Sequence, residues 1–413
     1  MATPRLCHDV LTSPFLAGMW YNFPAMKNGC RNAGKRETLK RRVRVEIDLG
    51  ALVRNYRKIV AHVKPMRVLS VLKANAYGLG VGAYAKALAE AGCREFGVAE
   101  PFEALELLDV LKRGGFAADV QILSSILPDE IAPMVKAGVI LPVTDVATAK
   151  LISDAAKRAK KTARVHFKLD TGMGRLGILA KDALETIRAV RKLPNLDCEG
   201  IFSHCPMAYD PKDPFTKRQI KLFKSIVASC AKEGISFRKV HMAASDAINN
   251  FPETAKPPFT MVRTGINLHG SFDPNGRKAL NVEPVLSLRT RVAQVRELPA
   301  GTTLGYGRTW CLAQPTKVAT ISAGYADGLP LALTNRGHVF IGGRRCKIIG
   351  RISMDYTTVD VSEVPGVKAG DEVVCFGSCG RDSITPDDWA MLKGTHAYDI
   401  ICSLGSRVQR VVK

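Results

Sequence analysis

The sequence between residues 67 and 268 alternates short apolar or β-branched runs with longer stretches of helical periodicity. The eight apolar runs are residues 67–72, 95–99, 120–123, 139–143, 164–169, 198–203, 239–243 and 261–268. The clearest helical stretches between them are residues 83–91, 102–112, 147–159, 183–191 and 215–232. Eight successive strand–helix alternations predict a closed (β/α)8 barrel of the TIM type rather than an open sheet.

The pattern changes after about residue 275. Strand-like runs separated by Gly and Pro turns follow at residues 285–295, 318–323, 338–341, 346–352, 357–361 and 372–376, and residues 397–412 close the chain. We therefore expect a barrel over residues 43–275 and a mostly-β domain over residues 276–413. Residues 43–47 alternate as a strand that is also a candidate to join the β domain. Residues 1–42 have no sustained period and are interpreted as a basic extension, with disorder as one reading.

Basic residues outnumber acidic ones, with 60 Lys and Arg against 38 Asp and Glu in 413 residues, a formal net charge of +22. Residues 1–44 carry +7 of this excess. So basic a chain suggests a nucleic-acid partner, but aromatic residues are not interleaved with the basic ones as in binders of single strands. We do not expect nucleic acid to be the main partner, and a secondary role of the extension stays open.

The cysteine and apolar patterns indicate the cellular compartment in which the protein is expected. The 11 cysteines include no CxxC pair, so we expect neither a metal site nor a disulfide framework. No uninterrupted apolar stretch approaches the roughly 18 residues of a membrane-spanning helix. The amino-terminal segment lacks a compact signal-peptide pattern. These features predict a cytoplasmic protein without a membrane partner, and a weak targeting role of the extension is the alternative.

Lys73 follows the first barrel run within residues 71–78 (VLKANAYG). Active-site groups collect at the C-terminal ends of barrel strands, and apolar surroundings favour the neutral amine that Schiff-base chemistry needs. The alternative is a strand-end lysine that points into solvent.

A glycine-rich segment, residues 168–177 (KLDTGMGRLG), follows the fifth run. Its spacing matches GxGxxG, which is typical of dinucleotide sites, and a dehydrogenase is therefore one alternative. However, Asp170 would face the pyrophosphate at close range. We interpret the glycines as a tight loop that presents Arg175.

Polar residues also follow the last three barrel runs. His204 ends the sixth run, Ser245 follows the seventh, and Arg263 and Gly265 lie on the eighth. Barrel enzymes commonly bind a phosphate after strands seven and eight, so these positions are candidates for such a site. The alternative for His204 is a histidine packed in the core.

The β domain carries three short polar segments, residues 305–310 (GYGRTW), 324–328 (GYADG) and 351–355 (RISMD). Tyr306 lies between two glycines, which indicates either a turn aromatic or an exposed acid–base group. Each segment is a weak signal by itself.

Taken together, these segments resemble those of the bacterial alanine racemases, a family of pyridoxal-phosphate enzymes. The resemblance covers about residues 43–413 and rests on residues 71–78, 168–177, 305–310, 324–328 and 354–360, in the family's order. It implies an amino-terminal barrel, a C-terminal β domain and a head-to-tail homodimer. It also implies an isomerase that interconverts L-alanine and D-alanine and supplies D-alanine for peptidoglycan.

The resemblance also implies roles for individual residues. Lys73 matches the lysine that carries the cofactor and acts as one base, and Tyr306 matches the opposite base, which comes from the partner subunit. Arg263 matches the arginine on the pyridine nitrogen, and Arg175 matches the one near the cofactor phenolate and the substrate carboxylate. Further cofactor-binding positions are Tyr77, His204, Ser245, Gly265 and Ile266, the substrate-side positions are Tyr325, Met354 and Asp355, and Lys168 matches a lysine that is carbamylated in some members.

The sequence departs from the family pattern near the expected phosphate site. Leu79 replaces a histidine, Ala244 replaces an asparagine, and Ser406 is taken as the counterpart of a C-terminal tyrosine near the phosphate. Two alternatives to an alanine racemase remain. One is a racemase of wider range that acts on serine or basic amino acids, and the other is a cofactor carrier without turnover.

Overall fold

The computed structural model describes residues 40–273 and 275–413, so the predicted extension of residues 1–42 lies almost wholly outside the described residues. Arg41–Lys413 form one compact unit. Within the described ranges, no helix is both long and apolar enough to cross a lipid bilayer.

The described residues before 265 contain ten strands, of which eight form a barrel. They are β1 (Arg44–Ile47), β2 (Arg67–Val71), β3 (Glu95–Val98), β4 (Asp119–Ile122), β5 (Leu141–Val143), β6 (Ala163–Asp170), β7 (Ile178–Leu179), β8 (Leu196–Phe202), β9 (Lys239–His241) and β10 (Met261–Thr264). The parallel order is β4-β3-β2-β10-β9-β8-β6-β5, and one parallel bridge between Gln121 and Ile140 joins the two ends. The predicted barrel is therefore confirmed and is nearly closed.

Helical segments alternate with these strands. They are α1 (Leu49–His62), α2 (Lys73–Gly78), α3 (Val81–Glu90), α4 (Pro101–Arg113), α5 (Pro128–Ala137), α6 (Val146–Arg158), α7 (Ala183–Arg191), α8 (Pro214–Lys232) and α9 (Ser245–Asn250). Three of these helices are N-capped by an aspartate. The carboxylates of Asp48, Asp145 and Asp213 accept hydrogen bonds from backbone N–H groups of the first turn. Short 3-10 helices lie at Ala180–Asp182, Pro252–Ala255, Ile266–His269, Tyr306–Arg308, Tyr325–Asp327 and Leu331–Leu333.

The eighth barrel strand is shorter than the run of residues 261–268 suggests. It ends at Thr264, after which Gly265 leaves the extended conformation and Ile266–His269 forms a 3-10 helix. Gly265 and Ile266 then line a cavity at the C-terminal end of the barrel.

The C-terminal part of the chain is rich in strands. It contains β11 (Leu286–Leu298), β12 (Thr303–Leu304), β13 (Trp310–Cys311), β14 (Thr316–Ile321), β15 (His338–Ile341), β16 (Arg344–Lys347), β17 (Thr357–Asp360), β18 (Glu372–Cys379), β19 (Asp382–Ile384) and β20 (Gln409–Val412), with helices α10 (Pro386–Lys393) and α11 (Ala397–Cys402). This confirms the mostly-β prediction. The strand expected at residues 346–352 is displaced towards the amino terminus, because it pairs with β15 as a tight hairpin.

Strand β1 belongs to the C-terminal sheet, which has the central order β16-β15-β18-β11-β1-β20. It lies antiparallel to β11 and parallel to β20. Glu46 on β1 accepts salt bridges from Arg289 at 2.8 Å and from Lys413 at 2.6 Å. The beginning of the described chain is therefore fixed to its end, across the β domain.

Candidate active site

Lys73 lies just beyond the C-terminal end of β2, where α2 is a left-handed turn. The φ angles of residues 74–77 lie between 52° and 59°, in the region that costs an L residue about 1–2 kcal/mol. The side-chain oxygen of Asn75 accepts a hydrogen bond from the Val81 N–H at 2.7 Å, which ties the turn to α3. The turn buries Tyr77 and leaves the Lys73 side chain open to a cavity.

This cavity has a volume of about 820 Å³ and lies at the C-terminal end of the barrel. Nine residues singled out from the sequence line it: Lys73, Tyr77, Lys168, Arg175, His204, Ser245, Arg263, Gly265 and Ile266. Because these residues come from five different strand ends and the loops after them, only the barrel topology brings them together.

Arg263 is buried in the floor of the cavity on β10. Its guanidinium donates hydrogen bonds to the carbonyl oxygens of Ser203 at 2.8 Å and Met242 at 2.9 Å, and to Nδ1 of His241 at 2.7 Å. Burial and the Arg263 charge hold the pKa of His241 well below its ordinary value, so His241 is a neutral acceptor. The guanidinium is therefore held in one orientation by three fixed acceptors.

The cavity concentrates positive charge. Burial, Arg263 and Arg175 together lower the pKa of Lys168 to about 7, and they lower the pKa of His204 to about 3. Burial and Arg175 also lower the pKa of Lys73. These shifts have one direction because burial disfavours the charged form and because each added positive charge is disfavoured by its neighbours. A ligand with several negative charges would relieve this repulsion.

One end of the cavity is a cluster of hydroxyl and backbone N–H groups. Ser245 Oγ accepts a hydrogen bond from the Gly265 N–H at 3.0 Å, and the Tyr398 hydroxyl accepts one from the Ile266 N–H at 3.3 Å. The Tyr77 and Tyr398 rings lie 5.3 Å apart between centroids. Because Ser245 and Tyr398 accept these bonds, their own O–H groups remain as donors, and hydroxyl donors suit the oxygens of a phosphate.

The sequence analysis missed Tyr398. It took Ser406 as the counterpart of the phosphate-side tyrosine, and the structure corrects this assignment. Ser406 lies in a turn outside the cavity, where its carbonyl oxygen accepts a hydrogen bond from Arg41, whereas Tyr398 on α11 lines the cavity. The sequence did contain a signal for this residue, since Tyr398 is the tyrosine of α11, the last helix before β20.

The other two departures have different surroundings. Leu79 is buried and packs in the hydrophobic core, so no polar group stands there. Ala244 lines the cavity beside Ser245. Asp246 follows in the same wall, and burial together with Asp273 raises its pKa to about 6, which reduces its negative charge near neutral pH.

We expect Gly265→Ala to weaken cofactor binding about tenfold or more. An added Cβ would overlap the Tyr77 hydroxyl and displace it from the hydroxyl cluster. Titration of the protein with pyridoxal phosphate, the cofactor that the sequence resemblance implies, followed by fluorescence, measures the change. Gly82→Ala on α3 is the matched control, because its added Cβ would have only one neighbour, at 4.0 Å. Equal affinities for both variants would contradict the expectation.

The glycine-rich loop after β6 folds around its own carboxylate. Asp170 accepts hydrogen bonds from the N–H groups of Gly172 at 2.8 Å and Gly174 at 2.9 Å. Gly177 has a φ of 123°, and an added Cβ would lie 2.7 Å from the Lys168 carbonyl oxygen. These backbone donors are already occupied, so the loop is not arranged for a dinucleotide pyrophosphate.

Four further predicted residues lie outside this cavity, on the surface of the β domain. Tyr306 is 74% exposed in the hairpin between β12 and β13, and Tyr325 and Met354 are 43% and 51% exposed. The N–H of Tyr325 donates to the Ser353 carbonyl oxygen at 3.0 Å, which joins two of the loops. We call Tyr306, Tyr325, Met354 and Asp355 the exposed tyrosine surface.

Arg407 anchors two loops of the exposed tyrosine surface. Its guanidinium donates to Asp327 at 2.7 Å and to Asp355 at 2.6 Å. Asp327 is only 2% exposed, and without Arg407 its carboxylate would keep the hydrogen bond from the Gly324 N–H at 3.0 Å but lose its paired cation. A buried carboxylate that has lost its cationic partner destabilises the folded state. This destabilisation is larger than the one caused by breaking an exposed salt bridge.

Arg407→Gln is therefore expected to destabilise the protein by about 1–3 kcal/mol and to lower kcat, since the loops lose their shared anchor. Thermal unfolding and steady-state kinetics measure both effects. Arg345→Gln is the control, because Arg345 pairs with the exposed Asp382 at 3.0 Å and should cost less than about 1 kcal/mol. The expectation fails when both variants unfold at the same temperature with unchanged kcat.

Comparisons with known proteins agree on one family. The family model "Alanine racemase, N-terminal domain" matches residues 47–273, and "Alanine racemase, C-terminal domain" matches residues 285–412. The chain is 37% identical to "Alanine racemase 2" of Caldanaerobacter subterraneus subsp. tengcongensis over 374 residues, which are 90% of this chain and 95% of that protein. It is 35% identical to the alanine racemase of Halothermothrix orenii, over 89% of this chain and 96% of that one.

Solved structures give the same result. The alanine racemase of a D-cycloserine-producing Streptomyces lavendulae superposes with a TM-score of 0.84 at 33% identity, covering 91% of this chain and 98% of that one. The alanine racemase of Bartonella henselae, solved with covalently bound pyridoxal phosphate, superposes with a TM-score of 0.81 at 30% identity, covering 91% of this chain and all of that one.

Proposed function

The chain belongs to the alanine racemase family and interconverts L-alanine and D-alanine, and we propose that it does so with pyridoxal phosphate, Lys73 and the Tyr306 of a partner subunit. The observation that carries the proposal is that the two predicted bases lie in different parts of the subunit. Lys73 lines the barrel cavity with Arg175 and Arg263, whereas Tyr306 is exposed on the β domain.

The cavity residues fit pyridoxal phosphate. The hydroxyl cluster of Tyr77, Ser245 and Tyr398 would hold the phosphate, and the Lys73 amine would hold the aldehyde carbon. The fixed guanidinium of Arg263 would meet the pyridine nitrogen. When bound, the cofactor lowers the cost of removing the α-proton by delocalising the resulting negative charge.

The protein then has to move a proton between the two faces of the α-carbon. Lys73 is the base on one face, where burial and Arg175 already lower the pKa of its amine. The Tyr306 hydroxyl of the partner subunit is the base on the other face. Two bases of this kind, held on opposite sides, allow removal on one face and return on the other.

Two arginines orient the reacting groups. Arg175 lies in the cavity wall near Lys73 and would pair with the substrate carboxylate. Arg263 only donates hydrogen bonds, because a guanidinium does not release its proton near neutral pH. It would therefore leave the pyridine nitrogen of a bound cofactor without a proton. This would restrain electron withdrawal into the ring and disfavour side reactions such as transamination.

We also propose that Lys168 is carbamylated. Its Nζ donates to the Leu123 carbonyl oxygen at 2.7 Å, and its pKa of about 7 leaves a neutral, nucleophilic amine above that pH. The amine nitrogen attacks the carbon of CO2, one C–O π bond breaks, and the nitrogen releases a proton to solvent. The resulting carbamate would be negative, beside Arg175 and Arg263.

The carbamate of Lys168 is therefore expected to form above about pH 7 and to be lost below it, because protonation removes the nucleophile. A 13C NMR signal from enzyme equilibrated with labelled bicarbonate should be strong at about pH 8.5 and weak at about pH 6. These two values lie above and below the Lys168 pKa. The signal should disappear in Lys168→Met. A signal that persists in that variant contradicts the proposal.

We further propose that the enzyme is a cytoplasmic homodimer that supplies D-alanine for peptidoglycan. Support for the dimer comes from the exposed tyrosine surface, since exposed aromatic and apolar side chains of this kind mark interfaces. Support for a reducing compartment comes from the nine cysteines of the described residues, which are all free.

The activity test is the conversion of purified enantiomers. With pyridoxal phosphate, the enzyme should bring L-alanine and D-alanine to equal amounts from either side. No conversion from either enantiomer would overturn the proposal. A panel with serine, lysine and arginine decides between an alanine racemase and the wider-range alternative, because a specific enzyme should favour alanine by at least about tenfold in kcat/KM.

A further inference from the structure

The left-handed turn after Lys73 needs support from outside itself. Residues 74–77 are not glycines, yet all four have positive φ angles. The turn is closed by backbone bonds from the Ala76 N–H to the Leu72 carbonyl oxygen at 2.9 Å and from the Gly80 N–H to the Asn75 carbonyl oxygen at 3.0 Å. These few bonds do not fix the first residue of the turn, Ala74.

Glu103 supplies the missing contact from α4. One carboxylate oxygen accepts a hydrogen bond from the Ala74 N–H at 2.5 Å. The other accepts from the Ala99 N–H at 2.7 Å and from the Glu100 N–H at 3.3 Å, at the start of the helix. A single carboxylate therefore joins the ends of β2 and β3 to the first turn of α4.

We propose that Glu103 is a positioning residue that holds the left-handed turn and thereby directs Lys73 into the cavity. The inference rests on the proposed role of Lys73. The Glu103 charge also raises the pKa of Lys73, against burial and Arg175, which lower it. Glu103 thus acts on the conformation and on the protonation of the same amine.

A second glutamate provides a control that distinguishes this positioning role from ordinary helix capping. Glu130 has the same place in α5, where its carboxylate accepts a hydrogen bond from the Leu127 N–H at 2.8 Å. Both helices begin with a proline, Pro101 and Pro128. In the described part of the chain, Glu130 makes no hydrogen bond to a neighbouring strand end. Glu130→Ala is therefore the matched control.

The experiment measures amide hydrogen exchange of the holoenzyme in the peptide that covers residues 74–80. Glu103→Ala should speed exchange in this peptide about tenfold or more, whereas Glu130→Ala should leave it unchanged. Glu103→Gln, which keeps one acceptor oxygen and loses the charge, should have a smaller effect. Glu103→Ala should also lower kcat more than it changes KM, and Glu103→Gln should shift the pH dependence of the cofactor absorbance downwards.

Equal exchange of residues 74–80 in native enzyme, Glu103→Ala and Glu130→Ala would overturn the inference. Where Glu103→Ala does not fold, Glu103→Gln decides by the same peptide. Faster exchange of residues 74–80 in Glu103→Gln supports the positioning role. Exchange at the native rate, together with an unshifted pH dependence of the cofactor absorbance, overturns it. A failure of the proposed function is separate, because it would appear as full activity of Lys73→Ala, whatever the exchange of residues 74–80.

Discussion

Lys73→Ala is expected to reduce alanine racemisation about a thousandfold or more, since it removes both the covalent link to the cofactor and one of the two bases. The same variant should lose the Schiff-base absorbance of the enzyme. Coupled assay of D-alanine production and an absorption spectrum of the dialysed protein measure the two effects. Because the Lys73 side chain opens into a cavity and packs little, the variant should remain folded.

Two controls make this result specific. Lys86→Ala on α3 removes a lysine whose salt bridge to Glu90 is exposed, and it should keep native activity. Lys73→Arg keeps a positive charge in the cavity but no amine, and it should be as inactive as Lys73→Ala. Activity of Lys73→Arg close to native would show that the charge, and not the amine, is what the reaction needs.

Tyr306→Phe is expected to reduce racemisation about 100- to 10,000-fold, the range for loss of one acid–base group. Only one oxygen atom is removed from a side chain that is 74% exposed in the single subunit, so the free energy of unfolding of the subunit should not change. With Lys73 intact, one enantiomer of alanine should still exchange its α-hydrogen with deuterated water, without inversion. Proton NMR of each enantiomer in deuterated buffer detects this asymmetry.

Tyr356→Phe is the matched control for Tyr306→Phe, because Tyr356 is also an exposed tyrosine of the β domain, 40% exposed. It should retain racemisation. Symmetrical loss of α-hydrogen exchange from both enantiomers in Tyr306→Phe would contradict the assignment of Tyr306 to one face only.

The order of the barrel strands was predictable from the sequence because each strand is an apolar run bounded by polar segments. The end of the eighth strand was not, since Val262, Gly265 and Leu268 belong to one strand-like run without a turn signal other than Gly265. After the strand ends, the Gly265 N–H donates to Ser245 Oγ and the Ile266 N–H donates to the Tyr398 hydroxyl, which are tertiary contacts. Periodicity does not report such contacts.

The left-handed turn after Lys73 also has no local signal. Residues 74–77 read Ala-Asn-Ala-Tyr, and alanine favours right-handed helices. Their conformation depends on hydrogen bonds that the turn N–H groups donate to the Glu103 carboxylate and to the Leu72 carbonyl oxygen at the end of β2. The same holds for Tyr398, which reaches the cavity from the far end of the chain. Residues that act through distant contacts are the ones that pattern alone did not find.

The positive charge of the chain has a partial explanation in the cavity. Lys73, Lys168, Arg175 and Arg263 lie together in the cavity, where burial, Arg263 and Arg175 lower the pKa values of Lys168 and His204, and burial and Arg175 lower that of Lys73. A cofactor with a phosphate and a phenolate, together with a substrate carboxylate, would compensate this cluster. The fold therefore places Lys73, Arg175 and Arg263 together at the site of an anionic ligand.

The central claim is that each active site takes Lys73 from one subunit and Tyr306 from the other. Hybrid dimers of Lys73→Ala and Tyr306→Phe test it directly, because one of the two sites in each hybrid would contain both native residues. An equal mixture, refolded or co-expressed, should regain about a quarter of native activity, since half of the dimers are hybrids with one active site. Hybrids that are verified by mass spectrometry and yet remain as inactive as the parent variants would contradict a shared site.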